Sequence, residues 1–153
     1  MEIERKFLVA RLPEDLQSYP CHRIEQGYLC TDPVVRIRRQ DEDYYLTYKS
    51  KGLMVREEYN LPLNAEAYSH LKAKADGNMI LKSRYCIPFG EHWTIELDIF
   101  DGCFAGLMLA EVEFATADEA GGFMPPDWFG EEVTWSSKYH NSTMSQADPK
   151  TYM

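Results

Sequence analysis

Long apolar runs are missing from this chain. No stretch approaches the ~20 consecutive apolar residues that cross a bilayer as a helix. The chain opens on charges, M-E-I-E-R-K, not on a basic stretch followed by an apolar one, so no secretory leader is expected. Cysteine is sparse: Cys21, Cys30, Cys86 and Cys103 form no C-x-x-C pair and no zinc-type Cys/His spacing. Reduced thiols in the cytoplasm are the expectation. Basic charge is in deficit, 16 Lys and Arg against 25 Asp and Glu, a net charge of −9. That balance excludes a general nucleic-acid binder but leaves room for a local basic cavity. A glycine-rich phosphate loop, G-x-S-x-G and H-E-x-x-H are all absent. His22, His70, His92 and His140 are scattered and read as surface or structural residues; Ser136-Ser137 has no nucleophile context.

What is present is alternation. With 153 residues, 44% hydrophobic and 27% charged, the chain suits a single domain over 1–153 with a real core. In 1–9 (M-E-I-E-R-K-F-L-V), Ile3, Phe7 and Val9 fall on one parity; Glu2, Glu4, Lys6 and Leu8 fall on the other. Side chains two apart share one face of a strand. Further strands are predicted over 22–30, 34–40, 44–50, 54–61, 79–89, 92–100 and 107–114. A helix capped by Asn64 should run to about residue 75, with Gly77 near its end and Leu61, Leu63, Tyr68 and Leu71 as its packing contacts. Thr116-Ala117-Asp118-Glu119 predicts a second, short helix, and the tail is expected to end in a small one.

Six of these strands carry charges at i and i+2: Glu2/Glu4, Arg36/Arg38, Arg56/Glu58, Lys82/Arg84, Glu96/Asp98 and Glu111/Glu113. Lys6 and Lys49 extend the set to seven bases and seven acids. In several strands the opposite parity is apolar. One explanation is a single-layer sheet with solvated charged faces. The other is a barrel turned inside out, with a charged lumen and an apolar outside covered by helices. Buried charges on that scale need ligands. The bases suit a polyanion with several phosphoryl groups. Oxygen-only acids suit a hard divalent cation, Mg²⁺ or Mn²⁺. Together they predict a metal–polyphosphate site.

Glu2-x-Glu4-x-Lys6 at the amino end, followed by Phe7-Leu8-Val9, resembles the E-x-E-x-K signature of the CYTH superfamily, the triphosphate tunnel metalloenzymes. Arg36-x-Arg38, Lys49, Arg56-x-Glu58, Lys82-x-Arg84, Glu96-x-Asp98 and Glu111-x-Glu113 follow in order, so the resemblance covers nearly the whole chain and is closest to compact bacterial single-domain members. It implies an α+β, mainly β fold: an eight-stranded antiparallel tunnel flanked by a few helices. Its members hydrolyse inorganic triphosphate, nucleoside triphosphates or thiamine triphosphate, and some are class IV adenylate cyclases. A metal-dependent triphosphatase is therefore expected, with a cyclase or a non-catalytic polyphosphate-binding module as alternatives. By the resemblance, Lys6, Arg36, Arg38, Lys49, Arg56, Lys82, Arg84 and, from the carboxyl-terminal plug, Lys138 bind substrate. Glu2, Glu4, Glu111 and Glu113 are the main metal ligands, with Glu58, Glu96 and Asp98 as further ligands or orienters. Lys6, Arg38, Glu58 and Lys82 take the catalytic roles. Arg5, Arg39 and Lys51 are left outside as off-parity or rim residues. The expected partner is a small triphosphate compound, without nucleic acid or membrane; a homodimer is compatible with the sequence.

Overall fold

A computed structural model describes residues 2–153; Met1, counted in the first predicted strand, lies outside them. The strands are β1 (Glu2–Val9), β2 (Cys21–Thr31), β3 (Val34–Gln40), β4 (Asp43–Lys49), β5 (Val55–Arg56), β6 (Glu58–Leu63), β7 (Asp76–Phe89), β8 (Trp93–Asp101), β9 (Met108–Glu113) and β10 (Phe129–Glu132). The helices are α1 (Ala65–Lys72), α2 (Ala117–Gly121) and α3 (Asn141–Gln146). Every strand pairing is antiparallel, in the order β10-β1-β9-β8-β7-β2-β3-β4-β6, and β5 returns to pair with β1. β5 and β6 interrupt one predicted strand at Glu57, and β10 only extends the free edge of β1. Ten segments therefore make eight staves of a nearly closed barrel.

Local signals explain most of these elements. A two-residue turn, Asp41-Glu42, joins β3 to β4, with Asp41 at φ 54°. The Asn64 side chain accepts from Ala67 N at 2.7 Å and caps α1; Thr116 Oγ1 accepts from Glu119 N at 3.1 Å and caps α2. Three details differ from expectation. α1 stops at Lys72, short of residue 75. Leu61 is 58% exposed rather than packed on the helix, because β6 turns that side chain outward; Tyr68 carries the packing. Gly77 belongs to β7, with φ 70°, and a Cβ there would sit 2.0 Å from Ser145 O. Its task is to let α3 lie against the barrel wall, not to end α1.

The apolar parity packs outside the barrel. Phe7, Ile87, Ile95, Leu97, Val112 and Phe114 form one cluster with Ala120 of α2, with Phe123 of the segment that leads into β10 and with Phe129 at the start of β10. Arg5 clamps this cover down. Its Nε and Nη2 donate to Glu132 at 2.8 and 2.7 Å, and its Nη1 donates to the carbonyls of Ala120 and Phe123 at 2.8 and 3.1 Å. A second cluster holds Ile80, Phe100 and Leu109, which continue the charged parity of their strands, together with Phe104, Val133 and Met144. The charged faces thus run into an apolar plug contributed partly by α3. No helix among the described residues is long and apolar enough to cross a membrane. All four cysteines are free.

Candidate active site

The charged parities of the staves converge on an internal cavity of about 170 Å³. All seven predicted bases of the strands line it: Lys6, Arg36, Arg38, Lys49, Arg56, Lys82 and Arg84. So do Glu2, Glu4, Glu58, Glu96, Glu111 and Glu113. Register explains the mixing of signs. Glu4 stands opposite Glu113, Lys6 opposite Glu111, Glu96 opposite Glu111, and Arg84 opposite Asp98. At the closure Glu2 meets Arg56.

Two predicted residues lie elsewhere. Asp98 is 0% exposed and off the cavity surface. Arg84 Nε and Nη2 donate to its two oxygens at 2.7 and 2.9 Å, and Lys82 Nζ lies 2.8 Å from Oδ2. Burial raises the Asp98 carboxyl, but Arg84 and Lys82 outweigh it and hold it below its ordinary value. Its oxygens are already taken, so its place is behind the cations, orienting them. Lys138 points away from the cavity: its Nζ donates to Thr151 O at 3.0 Å and sits 5.0 Å from the centre of the Tyr152 ring. A flexible lysine two residues before His140 finds tyrosine faces outside the barrel instead of the lumen.

The tail reaches the cavity through His140, Asn141 and Ser142. Asn141 Oδ1 accepts from Lys82 Nζ at 2.7 Å and from Gln26 Nε2 at 3.0 Å. Gln26 Oε1 accepts from Arg38 Nε at 2.8 Å, and Gln26 Nε2 also donates to Tyr28 Oη at 2.9 Å. Lys6 Nζ donates to Tyr139 O at 3.0 Å. The plug therefore aims three of the bases. Gln26 could have been found as a polar residue on the same parity as Ile24 and Tyr28; no local signal marks Asn141. His140, expected from the sequence to be a surface or structural residue, lines the cavity wall. Burial first, then Lys6, Arg56 and Lys49, hold its imidazole down at about 4, so it is neutral at pH 7.

The glutamates are the unsettled side of the cavity. Burial first, then the hydrogen bond to Glu58, push Glu2 up to about 7. Burial also raises Glu58, but the bond from Glu2 and the charges of Lys49 and Arg36 bring it to about 2. Burial and Glu111 raise Glu4 well above the carboxylate range; Lys6 and Arg84 pull Glu111 far below it despite its burial. Within each pair, Glu2–Glu58 and Glu4–Glu111, one carboxyl is therefore raised and the other lowered. Glu2 Oε1 is buried without an aligned donor, although Lys49 Nζ lies 3.1 Å away, and Arg36 Nε is a buried donor without an acceptor. A cation would satisfy the first, and a phosphate oxygen the second. An all-oxygen donor set fits a hard divalent ion. Among the described residues no three acids, histidines or cysteines stand close enough together to hold a metal ion by themselves, so a cation here would need substrate oxygens or water as well as the carboxylates.

A nearly closed antiparallel barrel with its charges inside and its grease outside is a tunnel-type β protein. The chain belongs to the CYTH domain family, whose model matches residues 1–152. It is 40% identical over 152 residues to an inorganic triphosphatase of Nitrosomonas europaea, covering 97% of this chain and 99% of that one. It is 37% identical over 157 residues to an inorganic triphosphatase of Acetivibrio thermocellus, covering 99% and 97%. A crystal structure of an inorganic triphosphatase superposes with a TM-score of 0.73 at 37% identity, over 96% of this chain and 95% of the other.

Proposed function

We propose that this chain is an inorganic triphosphatase that uses Mg²⁺ or Mn²⁺ to cleave a terminal phosphoanhydride. The observation that carries this reading is a pair of buried polar atoms without hydrogen-bond partners on two residues that line one cavity, an acceptor on Glu2 and a donor on Arg36. The relatives named as inorganic triphosphatases support it. Glu2, Glu4, Glu111 and Glu113 would hold the cation, with Glu58 and Glu96 beside them. When bound, the cation neutralises phosphate charge and acidifies a water. Arg36, Arg38, Arg56 and Lys49 bind the phosphate oxygens. Lys6, Lys82 and Arg84, aimed by Tyr139, Asn141 and Asp98, stabilise the charge that collects on the departing pyrophosphate. Water attacks the terminal phosphorus, the bond from that phosphorus to its bridging oxygen breaks, and the chain holds the reactants in line. The free thiols and the lack of a spanning helix fit a cytoplasmic place of work.

Cyclisation of ATP is less well served. Among the described residues Tyr28 is the one Phe, Tyr or Trp on the cavity wall, and its hydroxyl is bonded to Gln26. Phosphate release from triphosphate, ATP, thiamine triphosphate and pyrophosphate, each with Mg²⁺, Mn²⁺ or chelator, tests the proposal. Metal-dependent orthophosphate release, fastest from triphosphate, is the expected result. Cyclic AMP from ATP, or triphosphate bound without turnover, overturns it.

A further inference from the structure

The reaction cavity has a neighbour. A second cavity of about 280 Å³ shares Val34, Lys49, Arg56, His140 and Ser142 with it. The far side of this second space is formed by the Thr31–Val34 turn and by residues 50–53, which add Lys51 and a single carboxylate, Asp32. Three cations against one carboxylate give a local charge of +2 in a chain whose net charge is −9. The reaction cavity has another rim of the opposite sign. Glu58, Glu96 and Glu113 line it and do not touch the second space. The Glu96 side chain is 35% exposed and Glu113 is open to solvent. A polyanion approaching that rim meets carboxylates; one approaching the second cavity meets ammonium and guanidinium groups. Fields of this kind act over about one Debye length, ~10 Å at 0.1 M salt.

We propose that the second cavity is the loading vestibule for the polyanionic substrate, with Lys51 making the first phosphate contact and Lys49 and Arg56 passing the chain inward. The proposal rests on the triphosphatase reading and extends it to the route of substrate capture. Backbone geometry holds Lys51 at the rim: Gly52 has φ 139°, and a Cβ there would lie 2.3 Å from Val55 O. Only glycine makes that turn without strain. Lys51 Nζ is 3.2 Å from Asp32 Oδ2, with side chains 81% and 62% exposed. An exposed ion pair of this type is weak, so a multivalent anion displaces it readily. His140, held neutral between the two spaces, adds no charge of its own and keeps a nitrogen free to meet a phosphate oxygen or hydroxyl.

The test is steady-state hydrolysis of inorganic triphosphate with saturating Mg²⁺, at about 20 mM and about 500 mM added salt. Lys51→Glu should lower kcat/KM roughly five- to tenfold at low salt and less than about twofold at high salt, with kcat unchanged. Asp32→Asn should raise kcat/KM about twofold under the same low-salt conditions. Lys74→Glu changes the net charge equally at an exposed position on neither cavity and should leave kcat/KM near that of the wild type. Equal losses for Lys51→Glu and Lys74→Glu would overturn the proposal, since overall charge would then explain both. A fall in kcat with kcat/KM preserved would overturn it too, by making the vestibule an exit for product. If the wild type releases no phosphate, the triphosphatase reading fails first. Calorimetric binding of triphosphate to wild type and Lys51→Glu in the two salts then decides the vestibule alone: a salt-dependent loss of affinity supports it, and equal affinity removes it.

Discussion

Two sets of buried carboxylates, Asp98 on β8 and Glu2 and Glu4 on β1 with β9 between them, behave in opposite ways in this barrel. Asp98 has a fork of Arg84 on both oxygens and Lys82 at 2.8 Å, and burial fails to protonate it. Glu2 and Glu4, also buried though less completely, have too little positive charge within reach, and burial pushes both upward. The difference is one of partners. A buried carboxylate whose lone pairs are all used is scaffolding; one whose charge is opposed by burial and by a neighbouring carboxylate is waiting for a cation.

The sharpest way to break this comparison is to neutralise one member of each group. Glu4→Gln should reduce metal-dependent phosphate release by about a thousandfold or more, in line with removing a group that acts directly on the charged transition state, while the metal-free protein melts no lower than wild type. Turnover near wild type would remove Glu4 from the metal site. Asp98→Asn should do the reverse in kind. It leaves Lys82 and Arg84 buried with less compensation and should cost about 3–5 kcal/mol of stability, read from urea unfolding. A loss below about 1 kcal/mol would mean that the Asp98 pairs are not what holds those cations.

The smallest expected effect separates the groups by metal and pH. Saturating Mg²⁺ or Mn²⁺ should stabilise wild type and, if it folds, Asp98→Asn by about 2–3 kcal/mol at a hundred times Kd, and should not stabilise Glu4→Gln. The sign of the pH dependence follows from Glu2. Its folded value, about 7, is above the ordinary 4.5. Its proton therefore favours the metal-free fold most fully below about pH 4.5, and that contribution is lost as pH climbs through about 7. A cation must displace the same proton, so the metal-induced rise in Tm should grow between pH 5 and 7. His140 works against the first trend in the metal-free protein, since its depressed value favours the fold as pH rises through 4 to 6.5. Comparing each pH with and without metal largely cancels it. A metal shift that is flat across that range would show that the Glu2–Glu58 proton is not in competition with the cation.

Much of the barrel was legible because alternation is a local property. A strand carries its two faces in its own sequence, so Glu2, Glu4 and Lys6 declare one face wherever β1 ends up. Charge pairs at i and i+2 repeated along several strands then indicate an inward-facing charged surface, and Asn64 and Thr116 mark helix starts through bonds only three residues long. Most of the missed features involve partners distant in sequence. The break at Glu57 arises because β6 pairs with β4 while β5 must cross to β1. β10 pairs with the distant β1, and Arg5, 127 residues away, holds Glu132 there. Asn141 reaches Lys82 across 59 residues, and Lys138 turns outward onto Tyr139 and Tyr152.

The amino-acid sequence alone determined which residues could face a common interior, because side-chain direction in a strand follows from backbone geometry two residues at a time. Only the tertiary structure decided which of those charges neutralise each other and which stay hungry for a ligand. That choice depends on register and on what plugs the end of the barrel, and both are set by contacts between segments that no local pattern connects.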